Sequence, residues 1–313
     1  MRSLALVACA ACGSVHGDAQ IDAPPPEIDA PPLAHHRYIV DHETIPTSTA
    51  LATMFALDLD GNGVADNKLG NSLAQISALG SFDFQTPSTQ AVDRGVILEL
   101  VDFATTDLTA STMATVELFT GANPIPAACN GSADTACRHH FDGTASVGID
   151  PTVPREPALP GAVVAGTFTS NVGTTPISVS ISPLGMSVRL DLIGARVQLV
   201  GGNDNGVSSG ILAGGVTQAD IDGKLLPSAQ MAVAAVLAQN CSGLPVPPAC
   251  GCTGVGSTLI QEFDKNQDCM ISVDEIKNDG VISSLLSPDI MIADQMVLSF
   301  GMGITAVHAT FTP

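Results

Sequence analysis

The sequence has few aromatic and few basic residues, and each shortage weighs against a class of function. Tryptophan is absent, tyrosine occurs once, at Tyr38, and aromatic residues make up 4% of the 313 residues. A carbohydrate-binding module normally offers aromatic platforms to sugar rings, so this class is disfavoured. Lysine and arginine number 11 against 31 acidic residues, for a formal net charge of -20. No nucleic-acid partner is expected, because phosphate neutralisation needs clustered basic side chains.

The N-terminus carries a short apolar run after one arginine. Met1-Arg2-Ser3 precedes Leu4-Ala-Leu-Val-Ala8 and Cys9-Ala-Ala-Cys12-Gly13-Ser14, and the run is too short to span a bilayer. A basic start, an apolar stretch and small residues at a cleavage site are typical of a bacterial lipoprotein signal. We predict a signal over residues 1–12 with lipid attached at Cys12, or alternatively at Cys9. Without lipidation, the same segment would be an export signal.

A proline-rich repeat follows the signal. Ile21-Asp-Ala-Pro-Pro25 recurs as Ile28-Asp-Ala-Pro-Pro32. Proline fixes φ and disfavours helix, so residues 13–37 are predicted to form an extended tether. Folding is expected to begin near Tyr38, which leaves a β-rich domain over residues 38–313.

The most informative segment is the acidic stretch from Asp264 to Glu275, which we name loop II. It reads D-K-N-Q-D-C-M-I-S-V-D-E. An EF-hand loop supplies oxygen ligands to calcium from positions 1, 3, 5, 7, 9 and 12. Those positions hold Asp264, Asn266, Asp268, the Met270 carbonyl, Ser272 and Glu275. We therefore predict that loop II binds Ca²⁺.

One position of loop II departs from the EF-hand pattern. Position 6 normally needs glycine for a sharp turn, and here it holds Cys269. A side chain at positive φ costs on the order of 1 kcal/mol, so a disulfide through Cys269 is expected to hold the turn. Ser272 and Glu275 also form an S-x-x-E capping box for the exiting helix. The alternative is a loop that keeps the helix-turn-helix shape and binds no ion.

A second acidic stretch, Asp58 to Leu69, has a similar pattern, and we name it loop I. Its candidate ligands at positions 1, 3, 5, 7 and 9 are Asp58, Asp60, Asn62, the Val64 carbonyl and Asp66. Gly63 occupies the turn, but Leu69 at position 12 leaves out the bidentate acid. D-x-D-G-N-G-x-x-D resembles the calcium loops of thrombospondin type 3 and dockerin-like repeats, in which ligands from outside the loop can complete the shell. The alternative is a tight Asx turn.

The cysteines suit an oxidising compartment. The chain has 8, and cleavage before Cys12 removes Cys9 and lipidates Cys12, which leaves an even set of six. Export makes disulfides the expected state of Cys129, Cys137, Cys241, Cys250, Cys252 and Cys269. Cys129 and Cys137 are predicted to close a small loop. The other four are predicted to pair among themselves, with Cys269 tying loop II to the proline-rich segment before it.

Hydrophobic patterning predicts a mainly β fold. Apolar residues alternate with polar ones over residues 177–182 and 188–192, which indicates strands with one buried face. The turn at residues 203–206 predicts a hairpin that places residues 207–212 beside 195–200.

Helices are predicted over residues 69–79, over 217–240 as a pair broken at Pro227, and around loop II within residues 257–287. The expected fold is an antiparallel β-sandwich or open barrel with a helical EF-hand insertion near the C-terminus.

Catalytic patterns are weak. Gly206-Val-Ser208-Ser-Gly210 fits G-x-S-x-G, but a nucleophile elbow needs a helix after the motif, and here a strand follows. His139 and His140 beside Asp142 lack an accompanying H-E-x-x-H motif. We predict no enzyme activity. A secreted hydrolase and a calcium sensor are the alternatives.

A family resemblance is carried by segments spread over most of the chain: the Cys12-Gly-Ser start, the IDAPP tether, Leu57-Asp-Leu-Asp-Gly-Asn-Gly, Leu190-Asp-Leu-Ile-Gly194 and Leu298-Ser-Phe-Gly301. In this order of parts the chain resembles uncharacterised bacterial surface lipoproteins of the myxobacterial kind. The resemblance implies an outer-membrane or cell-surface location, an anchor in membrane lipid, and calcium. We expect a calcium-stabilised surface lipoprotein with a structural or adhesive role and a surface or matrix partner.

Overall fold

Strands form most of the regular structure. This computed structural model describes residues 32–78, 83–182, 185–242 and 250–312. Strands make up 38% of the described residues and helices 28%, so the mainly β class predicted from the sequence is confirmed. The strands are β1 Ala34–Thr44, β2 Glu99–Thr105, β3 Ser111–Ile125, β4 Ser146–Ile149, β5 Leu159–Val164, β6 Thr167–Ser170, β7 Ile177–Ile181, β8 Val188–Val200, β9 Gly206–Val216, β10 Ile290–Ile292, β11 Gln295–His308 and β12 Thr310–Thr312.

Eight of these strands close into an antiparallel barrel, in the order β3, β2, β1, β11, β9, β8, β6, β5 and back to β3. The closing pair is β3 with β5, which aligns Ser111 with Val163 and Val116 with Leu159. The expected sandwich or open barrel is therefore corrected to a closed barrel. Closure removes the unpaired edges that an open sheet would leave.

The barrel interior is filled by the inward face of each strand. Tyr38, Phe168 and Phe300 are fully or almost fully buried, and Leu190 and Leu192 of β8 have no exposed surface. The predicted hairpin is present, because Val197 of β8 pairs with Leu212 of β9 and Val200 with Ser209. Each buried side chain of this size contributes about 1.5–3 kcal/mol relative to exposure.

Among the described residues, α-helices lie in two parts of the chain, and a short 3₁₀ helix covers His139–Phe141 between β3 and β4. Those before β2 are α1 Thr49–Met54, α2 Lys68–Ala78 and α3 Gln85–Asp93. Those between β9 and β10, which we call the helical layer, are α4 Gln218–Asp220, α5 Leu226–Asn240, α6 Gly254–Phe263, α7 Val273–Asn278 and α8 Gly280–Leu285, with a π-helical segment Ile221–Leu225 joining α4 to α5. The main hydrophobic core joins Phe300 and Ile181 of the strands to Val233 and Ile276 of this layer.

The predicted break at Pro227 is wrong. The backbone stays helical through Leu225 and Leu226, and Pro227 lies in the first turn of α5. The π-helical segment before it explains the continuity, because its wider turn lets the Leu226 N–H bond the Ile221 carbonyl.

Regular structure begins before the predicted start near Tyr38. Ala34 pairs with Thr105 and Arg37 with Asp102, so the last residues of the expected tether belong to β1. Asp102 explains this extension, since its carboxylate lies 2.8 Å from His35 Nδ1 and 3.3 Å from Arg37 Nε. The predicted signal, Cys9, Cys12 and the tether up to residue 31 lie outside the described residues.

Three disulfides are present among the described residues, Cys129–Cys137, Cys241–Cys252 and Cys250–Cys269. Disulfides form and persist in oxidising compartments, so the chain belongs to an extracellular or periplasmic setting. In the described part of the chain, no helix combines the length and apolarity needed to cross a membrane.

Candidate metal sites

Each acidic loop joins two helices. Loop I lies between the end of α1 at Met54 and the first turn of α2, which it includes in part, and loop II begins directly after α6 and ends in the first turn of α7. The entering and exiting helices fix the ends of each loop, so the side chains between them can turn inward.

The first and last acids of loop II bind its backbone. Asp264 is 7% exposed, and its carboxylate accepts hydrogen bonds from the N–H groups of Asp268 at 3.0 Å and Cys269 at 2.9 Å. Glu275 Oε1 accepts from the N–H groups of Lys265 and Asn266 at the loop entrance, at 3.0 and 3.3 Å. The two acids thereby fix the start and the turn of the loop.

Glu275 has a second role at the loop exit. Its Oε2 accepts from the Ser272 N–H and hydroxyl, both at 2.9 Å, and the Ser272 hydroxyl in turn accepts from the Glu275 N–H. This is the predicted capping box. Burial raises the pKa of Glu275, but hydrogen bonds from Ser272, Asn266 and Lys265 outweigh it, so the pKa lies below its usual value. The side chain is held as a carboxylate, the form that calcium binds.

A disulfide supports the turn of loop II. Cys269 has φ +67°, in the left-handed region that favours glycine, and it is bonded to Cys250. The bond through Cys269 that the sequence predicts is therefore in place. At position 8, Ile271 is 3% exposed and packs in the main core, while Gln230 of α5 donates to its carbonyl at 3.1 Å. Loop II is thus attached to the helical layer on both sides of its turn.

Loop I is built from the same backbone interactions. The Asp58 carboxylate accepts from Gly61 N–H at 2.8 Å and Gly63 N–H at 3.0 Å, and Gly63 has φ +85°. Asp66 accepts from the Leu59 N–H at 3.0 Å, and Leu57 pairs with Asp66 in an isolated β-bridge. The loop is therefore closed at its base.

Three hydrogen bonds recur at the same positions in both loops. The N–H of position 6 donates to the acid at position 1, in Gly63 to Asp58 and in Cys269 to Asp264. The N–H of position 5 donates to the side chain of position 3, and the N–H of position 7 donates to the side chain of position 5. These distances lie between 2.7 and 3.1 Å. The two loops, which have similar sequence patterns, therefore also have similar backbone conformations around the turn.

The loops differ in how their acids are gathered. Oxygens of Asp58, Asp60 and Asp66 all lie within 4.8 Å of one another. The acids of loop II do not form such a group, and Cys250 and Cys269, whose sulfur atoms lie near Asp264, are joined in a disulfide. At position 12 of loop I, Leu69 is 3% exposed and packs in the main core.

Two residues near loop I were not predicted from the sequence. Burial raises the pKa of Asp66 most, and the negative charges of Asp60, Asp289 and Asp58 raise it further. The hydrogen bond from the Leu59 N–H opposes these effects and lowers it. Asp289 lies outside the loop and is held by the Ser299 N–H and hydroxyl at 2.8 and 2.6 Å. Arg196 of β8 donates to the Asp58 carbonyl. Asp289 and Arg196 belong to no loop motif, so no sequence pattern predicts that they lie beside loop I.

The residues considered for catalysis are separated. Ser208 lies exposed on β9, and its hydroxyl donates to the Val200 carbonyl at 3.0 Å. His139 Nε2 lies 2.8 Å from Asp134, while Asp142 accepts from Thr144. His140 is buried, and burial lowers its pKa to about 4. Neither cluster brings a nucleophile to a base.

Two buried glutamates were also missed from the sequence. Glu43 has no exposed surface, and its Oε2 accepts from the Ser88 hydroxyl at 2.8 Å, while Oε1 has no hydrogen-bond partner among the described residues. Glu99 is 7% exposed and accepts from the Ser180 N–H at 2.9 Å. Burial raises the pKa of Glu43 to about 8 and that of Glu99 to about 7.

Comparisons of the chain with protein-family models, with curated proteins and with solved structures find no match.

Proposed function

We propose that this exported protein binds calcium at loop II and that the ion stabilises the helical layer. The observation that carries the proposal is the two-sided engagement of Glu275, which caps α7 and reaches back to the N–H groups of Lys265 and Asn266. In an EF-hand the acid at position 12 is the bidentate ligand, so its side chain must cross from loop exit to loop entrance. Glu275 makes that crossing.

A stabilising role follows from what the loop connects. Leu259 of α6 and Ile276 of α7 are 4% and 5% exposed and belong to the main core. An ion that fixes the connection between these helices favours the packed state. Binding to the folded chain alone adds RT ln(1 + [Ca²⁺]/Kd), about 2.7 kcal/mol at a hundredfold excess. A turn without glycine and a neutral ligand, Asn266, favour a Kd of roughly 10⁻⁴ to 10⁻³ M.

Loop I is the weaker of two candidate sites. Its three gathered carboxylates support cation binding, and the missing acid at position 12 weakens it. The guanidinium of Arg196 at the Asp58 carbonyl adds a fixed positive charge close to the loop. Calcium is therefore expected to fill loop II first.

Anchoring to outer-membrane lipid through Cys12 and a structural or adhesive role at the cell surface complete the proposal. Their support is the signal pattern, the parity of the cysteines and the oxidising setting that the disulfides indicate. Mass spectrometry of the mature N-terminus tests the anchor. We expect an acylated Cys12; an unacylated terminus that starts at another residue would contradict it.

Calorimetric titration with calcium tests the metal site. Glu275→Gln keeps the size of the side chain and removes its charge, so we expect affinity at loop II to fall more than tenfold. Asp274→Asn is the matched control, because Asp274 is an exposed acid on the same helix outside the ligand set. Unchanged binding in Glu275→Gln, or an equal loss in Asp274→Asn, would refute the assignment.

A further inference from the structure

Two adjoining cavities of opposite character lie in and beside the helical layer. The first, of about 130 Å³, is lined among the described residues by apolar side chains alone. The second, of about 290 Å³, carries polar side chains that include Gln218, Lys277 and Ser283. Leu226, Ile282 and Leu286 line both cavities, so the two spaces share a wall.

Several elements contribute side chains to the wall of the apolar cavity. Leu73 comes from α2, Ile181 from β7, Ala229 from α5, Phe263 from α6 and Ile276 from α7. An apolar cavity of about 150 Å³ lined by Leu, Ile and Phe stays dry and admits a molecule the size of benzene. The space of about 130 Å³ therefore suits about six carbon atoms of a ligand without polar groups in that part.

The polar cavity offers a cation at its rim. The Lys277 ammonium lies 2.7 Å from Asp222, and its side chain is 45% exposed. An ammonium has three N–H donors, so one bond to Asp222 leaves donors for a second anionic group. Lys277 is the one cationic side chain among the described residues that line this cavity, and Asp222 is the one acidic side chain.

The local backbone supports a ligand at this junction. Ile221 of the π-helical segment lines the polar cavity, and Leu225 of the same segment lines the apolar one. Short π-helical segments occur frequently at functional sites. Ile276 and Lys277 are consecutive on α7, so one turn of helix presents an apolar side chain to one cavity and a cation to the other.

We propose that the adjoining cavities bind a single-chain amphiphile with an anionic head group, of the fatty-acid class. The end of the alkyl chain occupies the apolar cavity, and the head group lies in the polar cavity beside Lys277. Neither cavity is lined by a residue of the proposed calcium ligand set, so variants can test the two proposals separately. Assays with calcium and with chelator keep the two proposals separable.

Calorimetry of the full chain with decanoate, below its micelle-forming concentration, tests the proposal. We expect saturable binding that strengthens about fourfold for each methylene added from hexanoate to decanoate, the increment for burying one CH₂. This series needs no variant. A flat series, or heats without saturation, would overturn the site.

Variants then locate the chain and the head group. Ala229→Met fills the apolar cavity and should weaken decanoate more than tenfold, while Ala235→Met, at an exposed position of the same helix, should leave binding unchanged. Lys277→Gln should weaken decanoate about tenfold and leave uncharged 1-decanol unchanged. Lys265→Gln is the charge-matched control, because this exposed lysine lines neither cavity.

Three results would contradict the assignment. These are full binding by Ala229→Met, equal losses in Ala229→Met and Ala235→Met, and equal losses of decanoate and 1-decanol in Lys277→Gln. Decyl phosphate, tested beside decanoate, identifies the source of the head group: tighter binding of one than of the other assigns a phosphate or a carboxylate to the same site.

Discussion

Loop I and loop II share three internal hydrogen bonds but have different external support. Loop I is fixed to the barrel wall, through Asn67 at its exit and Arg196 at its start. Loop II is fixed by a disulfide to Cys250 and by burial of Ile271. The comparison shows that one ligand pattern can be held in shape either by noncovalent packing on a sheet or by a covalent link.

Asn67 shows how fully the barrel holds loop I. It is 4% exposed, and its Nδ2 donates to the carbonyls of Ala52 and Gly301 at 3.0 and 2.9 Å. Its Oδ1 accepts from the N–H groups of Gly70 and Gly301 at 3.0 and 2.9 Å. Both N–H donors and the carbonyl oxygen of this amide are hydrogen-bonded, and Gly301 of β11 takes part in two of the four bonds. The conformation at the exit of loop I therefore depends on the position of β11. Substitutions that destabilise the barrel should therefore perturb the structure of loop I more than that of loop II.

The largest expected effect comes from raising the pH, which acts on the barrel. Burial, with a further contribution from Glu99, raises the pKa of Glu43 to about 8, above its ordinary value of 4.5. A raised pKa in the folded state means that the contribution of Glu43 to stability is fully present below about pH 4.5 and is lost as the pH rises through about 8. We expect a loss on the order of 4 kcal/mol over this window.

Urea unfolding of the wild type and Glu43→Gln, in chelator, measures this effect. The difference between the two proteins removes the contribution of groups that do not interact with Glu43, and it reports Glu43 together with its electrostatic coupling to Glu99. Between pH 5 and pH 8 the free energy of unfolding of Glu43→Gln should change less than that of the wild type. The calcium affinity of loop II, measured separately without chelator, should stay nearly constant over the same range. Parallel pH profiles for the two proteins would show that Glu43 is not held neutral.

The second effect tests the covalent support of loop II. Cys250 and Cys269 are 19 residues apart in sequence, and a cross-link of about that length stabilises by roughly 3 kcal/mol through the unfolded state. The double variant Cys250→Ser with Cys269→Ser should lose this amount and bind calcium more weakly at loop II. Loop I should keep its affinity. Equal losses at both loops, measured by denaturant unfolding and calorimetry, would remove the distinction between them.

Sequence patterns identified the loops better than their surroundings. The spacing of Asp58 and Asp264 with the residues that follow determines short-range hydrogen bonds, so the common shape could be read locally. Barrel closure through β3 and β5 depends on a pairing between distant residues that no local period encodes. The sequence around Glu43 suggests an exposed residue, because the residues that cover it, Ser88 and its neighbours on α3, are distant in sequence.

The third effect is calcium removal, which separates a stabilising ion from a sensor. At a hundredfold excess over Kd, calcium should add about 2.7 kcal/mol, seen as a higher melting temperature, with little change in the binding of a hydrophobic dye. A sensor exposes an apolar groove when loaded. A calcium-induced rise in dye binding with little gain in melting temperature would favour the sensor. Glu275→Gln should lose most of the gain, and Asp66→Asn should lose less.

The smallest effect compares the two turns directly. A Cβ on Gly63 would meet no atom within 4 Å, so Gly63→Ala tests the cost of positive φ without a clash. We expect a loss of about 1 kcal/mol. In loop II the same backbone shape is imposed on Cys269 by its disulfide, so once Cys250 is serine, glycine at position 269 should be more stable than serine by a similar amount. Denaturant unfolding measures both pairs. If glycine at position 269 is no more stable than serine, the disulfide stabilises the protein only through the unfolded chain. The positive φ at the turn of loop II would then not need the disulfide, and the two turns would not differ in this respect.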